Sequence, residues 1–245
     1  MHLQFVGCGD AFGSGGRANT CFHVVGEQAN FLIDCGATSA VALKRLGIQA
    51  NTIDTILVTH FHGDHFGGIP FLMLEAQMNG RRERPLTIAG PPGLADRYAR
   101  AMDVAFPGSP QQPKRFSLTL QELAIGQTTP VDALKVTPFP MVHVEAAGPC
   151  TGLRIECEGK IIAYSGDTEW TESLVALGRD ADLLICECYT FDKKVKSHTD
   201  YTTLSANIER IAPKRLVLTH MSDDMLAHRG NVPYETAAEG MVLRI

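Results

Sequence analysis

The sequence predicts an α/β protein. Short apolar, β-like runs recur along the 245 residues and are separated by helix-length segments. The long β-like runs end at a histidine or an acid, which is where an α/β scaffold offers functional groups at one edge of its sheets. With 44% hydrophobic and 20% charged residues, the chain has enough apolar material for a real core. Its length fits one large α/β domain, and residues 1–245 are read as a single domain.

In the first third the strands are expected at Leu3–Gly7, Cys21–Val25, Asn30–Asp34 and Thr55–Thr59. A helix is expected over Ser39–Leu46, closed by Gly47 as a C-cap. Gly67–Met78 reads as helical, Leu86–Ala89 as a strand and Gly93–Ala105 as a helix. Phe106–Pro113, with Pro107, Gly108, Pro110 and Pro113, is the most loop-like stretch. Because β-like runs resume beyond it, it reads as a surface loop and not a domain boundary. The second half repeats the rhythm with strands at Leu134–Pro140, Gly152–Cys157 and Lys160–Ser165, the last two joined by a Glu158-Gly159 hairpin turn. Strands at Asp182–Glu187 and Arg215–Thr219 and helices at Thr171–Leu177 and Thr203–Ile211 complete the series.

Several functions are disfavoured at this level. A net charge of −5 gives no broad attraction for a polyanion. No apolar run approaches membrane-spanning length, and Met1–Gly7 reads as a first strand, not a signal peptide, so a cytoplasmic location is expected. The seven cysteines contain no C-x-x-C pair and sit mostly in apolar runs, as small buried hydrophobes in a reducing compartment would. Cys186 and Cys188, two apart, face one side of a strand but lack further thiolates for a soft-metal site. Gly13–Gly16 is followed by no Lys-Ser/Thr pair, so it reads as a rim loop and not a phosphate loop. Arg81, Arg82 and Arg84 read as a surface loop, and His2, His23 and His228 receive no role.

Thr59–Gly68 reads Thr-His-Phe-His-Gly-Asp-His-Phe-Gly-Gly, placing three histidines and an aspartate within six positions directly after a strand. Imidazole with carboxylate suits zinc, manganese or iron. Further ligands lie downstream at strand ends: His143, Asp167 and His220. His60 and His62 with His143 would serve one ion, and Asp64 and His65 with His220 a second. Asp167 would bridge them through its two oxygens. Such a pair of ions lowers the pKa of bound water and clamps the attacking and leaving atoms.

This constellation resembles the metallo-β-lactamase superfamily, and most closely its ribonuclease Z-like phosphodiesterase branch. The likeness is carried by Gly7–Asp10, Ile33–Gly36, Thr59–Gly68, His143, Ser165–Thr168 and Leu218–His220. It implies a four-layer αββα sandwich, two divalent metal ions (zinc first, manganese or iron as alternatives) and hydrolysis by metal-bound hydroxide. Asp167 stands where many β-lactamases have a cysteine, which keeps both sites hard enough for phosphate oxygens. Glu187 and His198-Thr199 are similar to the family's Glu and His-x-Thr segments. The resemblance therefore makes His198 the leaving-group acid, Glu187 its orienting carboxylate and Asp64 a ligand that also holds the attacking water. The Lys193, Lys194 and Lys196 run would steer phosphate toward His198.

Bacterial ribonuclease Z enzymes carry a long arm between the positions of His143 and Asp167. Here 23 residues separate them, enough for two strands and a turn but not for an exosite. A small phosphodiester or short nucleic acid is therefore the expected substrate, rather than transfer RNA. Relatives in this family often dimerise, which leaves a homodimer open. The same ions would also polarise carbonyls, so a lactonase, thioesterase or β-lactamase-like hydrolase is the alternative. A non-catalytic metal-stabilised binding protein is a third reading.

Overall fold

A computed structural model describes residues 1–109 and 112–245. Two seven-stranded sheets form in succession along the chain. The first takes β1 (His2–Gly7), β2 (Cys21–Val25), β3 (Asn30–Ile33), β4 (Thr55–Leu57), β5 (Leu86–Gly90) and β6 (Leu118–Glu122). The second takes β7 (Thr129–Val131), β8 (Leu134–Pro140), β9 (Thr151–Cys157), β10 (Lys160–Tyr164), β11 (Leu183–Glu187), β12 (Leu216–Thr219) and β13 (Glu235–Thr236). The last strand, β14 (Val242–Arg244), returns to pair with β1. In each sheet an antiparallel half gives way to a parallel one: β3 to β6 in the first, β10 to β13 in the second.

The inner faces of the sheets share one core. Phe5, Phe22 and Phe31 meet Leu153, Ile155, Tyr164 and Ile185, all fully buried. Phe22 and Tyr164 join the sheets edge to face with ring centroids 5.0 Å apart. Behind the first sheet pack α1 (Ser39–Arg45), α3 (Ile69–Leu74) and α4 (Leu94–Ala105), through Leu43, Ile69, Leu72 and Tyr98. Behind the second pack α5 (Ser173–Gly178), α6 (Tyr201–Ser205), α7 (Ile208–Ile211) and α8 (Asp223–His228), through Leu177, Leu204, Ile211 and Met225. The result is the four-layer αββα sandwich. No helix among the described residues is long and apolar enough to cross a membrane.

Several local expectations need correction. The helix read from Gly67 starts earlier, as α2 (Gly63–Phe66), breaks at Gly67-Gly68 and ends in a π-helical turn over Glu75–Asn79. At the break the Gly68 amide donates to the Cys35 carbonyl (2.8 Å), a close approach that only glycine permits: a Cβ on Gly68 would lie 2.2 Å from the Gly36 carbonyl oxygen, and one on Gly36 2.2 Å from that of Asp64. Thr203–Ile211 is two short helices, not one. Arg82 is not on a surface loop. It is 3% exposed, and its guanidinium donates to the carbonyls of Arg84 (2.8 Å), Asn51 (3.2 Å) and Ile53 (2.7 Å). Four strands (β6, β7, β13 and β14) and α8 were not anticipated. They are short or polar, and β6 and β14 pair with strands far away in sequence. Phe106–Gly108 and Gln112 are turns and bends; Pro110 and Gln111, within the stretch read as a loop, lie outside the described residues.

Candidate metal centre and active site

The parallel strands of both sheets deliver their C-terminal ends to one edge. Asp34 follows β3, His60 follows β4, Asp167 follows β10, Glu187 closes β11 and His220 follows β12. The short turn after β4 then folds His62, Asp64 and His65 back toward the same point through α2, whose N-cap is His62. Thr151 ties the two sheets together here, its amide and hydroxyl both donating to the Thr59 carbonyl.

Three groups of potential ligand atoms result, with the atoms in each lying within 4.8 Å of one another; Glu187, His198 and His220 form one beside the centre, and the other two make the centre itself. One comprises His60, His62, His143 and Asp167; the other comprises Asp64, His65, Asp167 and His220. In the first, His62 Nδ1 lies 3.2 Å from His60 Nε2 and 3.1 Å from His143 Nε2. In the second, His65 Nε2 lies 3.3 Å from Asp64 Oδ2, and His220 Nε2 lies 3.2 Å from the same oxygen. Asp167 belongs to both. Its Oδ1 is 3.2 Å from His65 Nε2, and its Oδ2 is 3.8 Å from His143 and 3.9 Å from His60.

The outward nitrogens of His65, His143 and His60 are occupied. His65 Nδ1 donates to Asp34 Oδ2 (2.7 Å), and His143 Nδ1 to the Ser197 carbonyl (2.8 Å). His60 Nδ1 donates to the Thr59 hydroxyl (3.1 Å), which in turn donates to Asp34 Oδ2 (2.8 Å). These bonds fix the tautomers so that the inward nitrogens carry lone pairs. His65 Nε2 and Asp167 Oδ1 are buried without a hydrogen-bond partner. Orphaned buried acceptors beside imidazole lone pairs call for cations, so the residues fit metal ions.

The electrostatics agree. Burial holds the His60 and His143 rings below their ordinary pKa. Burial opposes charge on His65 and His220 as well, but the carboxylates around them override it. Asp167, Asp64 and Asp34 lift His65 well above its usual value, and Asp167 and Asp64 lift His220 to about 9. Asp167 is itself driven well below the carboxylate range against its burial, by His220 and His65. The cluster thus demands positive charge at these atoms, and a metal cation supplies it without protons.

Beside the centre, Glu187 is fully buried and accepts from the Thr168 amide. Its Oε2 lies 2.9 Å from His198 Nδ1. Burial raises Glu187, while its carboxylate raises His198 against that ring's own burial. Glu187 therefore pairs with His198 and with no lysine. Lys193 instead pairs with Asp224 (2.6 Å) and Lys194 with Asp200 (2.7 Å). Cys186 and Cys188 are both buried in the outer core and join no candidate metal cluster among the described residues. The Gly13–Gly16 loop is tethered by the Gly15 amide donating to Asp223 Oδ1 at 2.9 Å. His23 bonds Asn30 at 2.7 Å, and His228 bonds the Asp224 carbonyl at 2.8 Å, both away from the centre.

Asp34 received no role from the sequence, although it ends a strand in the quoted Ile33–Gly36 segment. Its left-handed backbone (φ 56°) turns the carboxylate back onto Thr59 and His65. A strand-end acid preceding Cys-Gly is the signal that could have found it. Tyr189 and Ser197 carried no such signal.

Solved structures with this architecture are metallo-β-lactamase-fold proteins. YhfI from Bacillus subtilis superposes with a TM-score of 0.78 at 19% identity, covering 99% of this chain and 98% of its own. The short form of human tRNase Z gives 0.79 at 25% identity, covering 100% and 99%. Among curated relatives, ribonuclease Z of Methanothermobacter thermautotrophicus is 28% identical over 272 aligned residues, covering 91% of this chain and 87% of the relative. That of Geobacillus kaustophilus is 27% identical, covering 98% and 93%. The protein is thus a metal-dependent hydrolase of the metallo-β-lactamase fold, similar to ribonuclease Z. Within that class it belongs to the family described as Anti-Pycsar protein Apyc1, whose model matches residues 1–241.

Proposed function

We propose that residues 1–245 act as one dinuclear metallo-hydrolase domain that cleaves small phosphodiesters. The observation that carries the dinuclear reading is Asp167, whose two oxygens reach into both ligand groups. His60, His62 and His143 would hold one ion, Asp64, His65 and His220 the other, with Asp167 shared and zinc the first candidate. Bound there, divalent cations supply Lewis acidity, polarising phosphoryl oxygens and easing deprotonation of water near neutral pH.

The rest of the chemistry falls to this chain's own groups. Asp64 orients the attacking water. His198 donates a proton to the leaving oxygen, because an alkoxide is a poor leaving group. Glu187 fixes the His198 tautomer through Nδ1, which leaves Nε2 to carry that proton. Burial of Glu187 keeps this bond out of competition with water.

Small substrates are favoured over transfer RNA by the chain between His143 and Asp167. It holds only a short 3-10 turn at Glu145–Ala147 and the β9–β10 hairpin, closed by Glu158 and Gly159 in left-handed conformation. An anti-Pycsar role, as in the family description, is the biological setting we assign to such a hydrolase.

The test is turnover by metal-loaded protein on bis-aryl and cyclic phosphodiesters, set against lactones and thioesters. Diester cleavage supports the reading; brisk lactone or thioester cleavage with no diester turnover overturns it. His198→Ala should lower kcat by roughly 10²-fold or more on alkyl leaving groups and far less on nitrophenyl ones. Equal loss on both removes the acid role.

A further inference from the structure

The group that would protonate the leaving oxygen sits only half-buried at the rim, and one hydrogen bond does not fix an imidazole plane. The Glu187 contact restrains His198 at Nδ1 alone, which leaves small coupled changes in its side-chain torsions for neighbouring groups to limit. Neighbouring rings limit them. Tyr189 lies against His198 with ring centroids 4.5 Å apart and planes 29° apart. On the metal side, His143 meets the same imidazole edge-on at 5.0 Å, and His220 lies nearly parallel to it at 5.7 Å, farther than Tyr189. Tyr189 itself is set firmly. Its amide donates to the Thr199 carbonyl (2.8 Å), beside His198 in the chain. Its carbonyl accepts from the Ser222 amide (2.9 Å) and the Ser222 hydroxyl (2.6 Å), just beyond His220.

We propose that Tyr189 is a positioning residue for leaving-group protonation: its ring, stacked on His198, holds the imidazole plane so that Nε2 stays aimed at the leaving oxygen. This rests on the acid role assigned to His198 above. The stack acts through the ring face, so the hydroxyl contributes nothing to it. An aromatic contact of this kind is modest in itself, but small misplacements of a proton donor are amplified in rate. The effect belongs to kcat and to substrates that need the proton.

The experiment uses the full metal-loaded chain and measures kcat and KM on an alkyl and a nitrophenyl diester. Tyr189→Leu, Tyr189→Phe and His198→Ala are compared, with metal content and thermal unfolding followed alongside. Tyr189→Leu should lose about 10-fold in kcat on the alkyl diester and less than about 2-fold on the nitrophenyl one, with KM unchanged. Tyr189→Phe should stay within about 2-fold of the parent on both. Equal losses for Phe and Leu would overturn the proposal by pointing to the hydroxyl, as would a Leu effect confined to KM or the same on both substrates. If Tyr189→Leu does not fold, Tyr189→Phe decides alone: retention supports the stacked ring, and loss overturns it. The underlying reading fails separately, through a His198→Ala variant that ignores the leaving group.

Discussion

The two sheets equip the same edge in different ways. The first supplies a contiguous turn, His60 to His65, braced from behind by fully buried Asp34 and Thr59. The second supplies isolated groups: His143 after β8, Asp167 after β10, Glu187 at the end of β11 and His220 after β12. Asp34, Thr59, His60 and His65 of the first sheet are sealed from solvent, as are Asp167, Glu187 and His220 of the second, whereas His62 of the first and His198 of the second remain partly exposed. A contiguous, braced turn suits gripping ions; groups set apart at strand ends suit completing both ligand sets and, at His198, handing a substrate a proton. The first is the gripping half, and the second completes the grip and is also the reacting half, through Glu187 and His198.

The sharpest way to break this comparison is at the residue the two halves share. Asp167→Ala should cost roughly 10³-fold or more in activity, and mass-spectrometric metal analysis should show a fall in bound metal. Retention of both would make the bridge dispensable. Next, Asp34→Ala touches only the gripping half. Metal affinity should fall about 10–100-fold with the leaving-group dependence of kcat preserved, because His65 and Thr59 lose their common acceptor. A loss confined to alkyl substrates would place Asp34 in the reacting half instead.

Away from the edge, Arg82→Met should cost about 2–4 kcal/mol in denaturant unfolding by orphaning several buried carbonyls, with kcat per folded chain unchanged. The smallest effect is expected at Asp200, which caps α6 by accepting from the Thr203 amide at 2.9 Å. Asp200→Ala should cost about 1 kcal/mol at neutral pH. Burial alone would raise this carboxyl, but Lys194 and Thr203 hold it below its ordinary 3.8. A depressed carboxyl stabilises above its unfolded pKa and ceases to as pH falls through the folded one. The melting difference between parent and variant should therefore shrink in acid below about pH 4.

How much of this was legible depends on how locally each feature is written. The His60–His65 cluster is local, and the strand-end positions of His143, Asp167 and His220 made their convergence readable in advance. The α/β class was readable from the run lengths; the αββα layering came only through the family resemblance. Asp34 escaped because its role lies in a carboxylate turned by a left-handed backbone onto a residue 31 positions away. Tyr189 escaped because ring stacking leaves no spacing in the sequence. Arg82 was misplaced because a charged residue in an Arg-rich stretch reads as solvated, whereas here backbone carbonyls take the place of water. The continuous helix read from Gly67 failed at the close approach of Gly36 and Gly68, a contact between distant segments.

The central claim is a pair of cations gripped jointly by both sheets, and metal stoichiometry after gentle purification tests it most directly. Two divalent ions per chain, falling to one or none in Asp167→Ala, is the predicted result. Fewer than one ion per chain in the parent protein, with its fold and melting temperature intact after chelation, would contradict it.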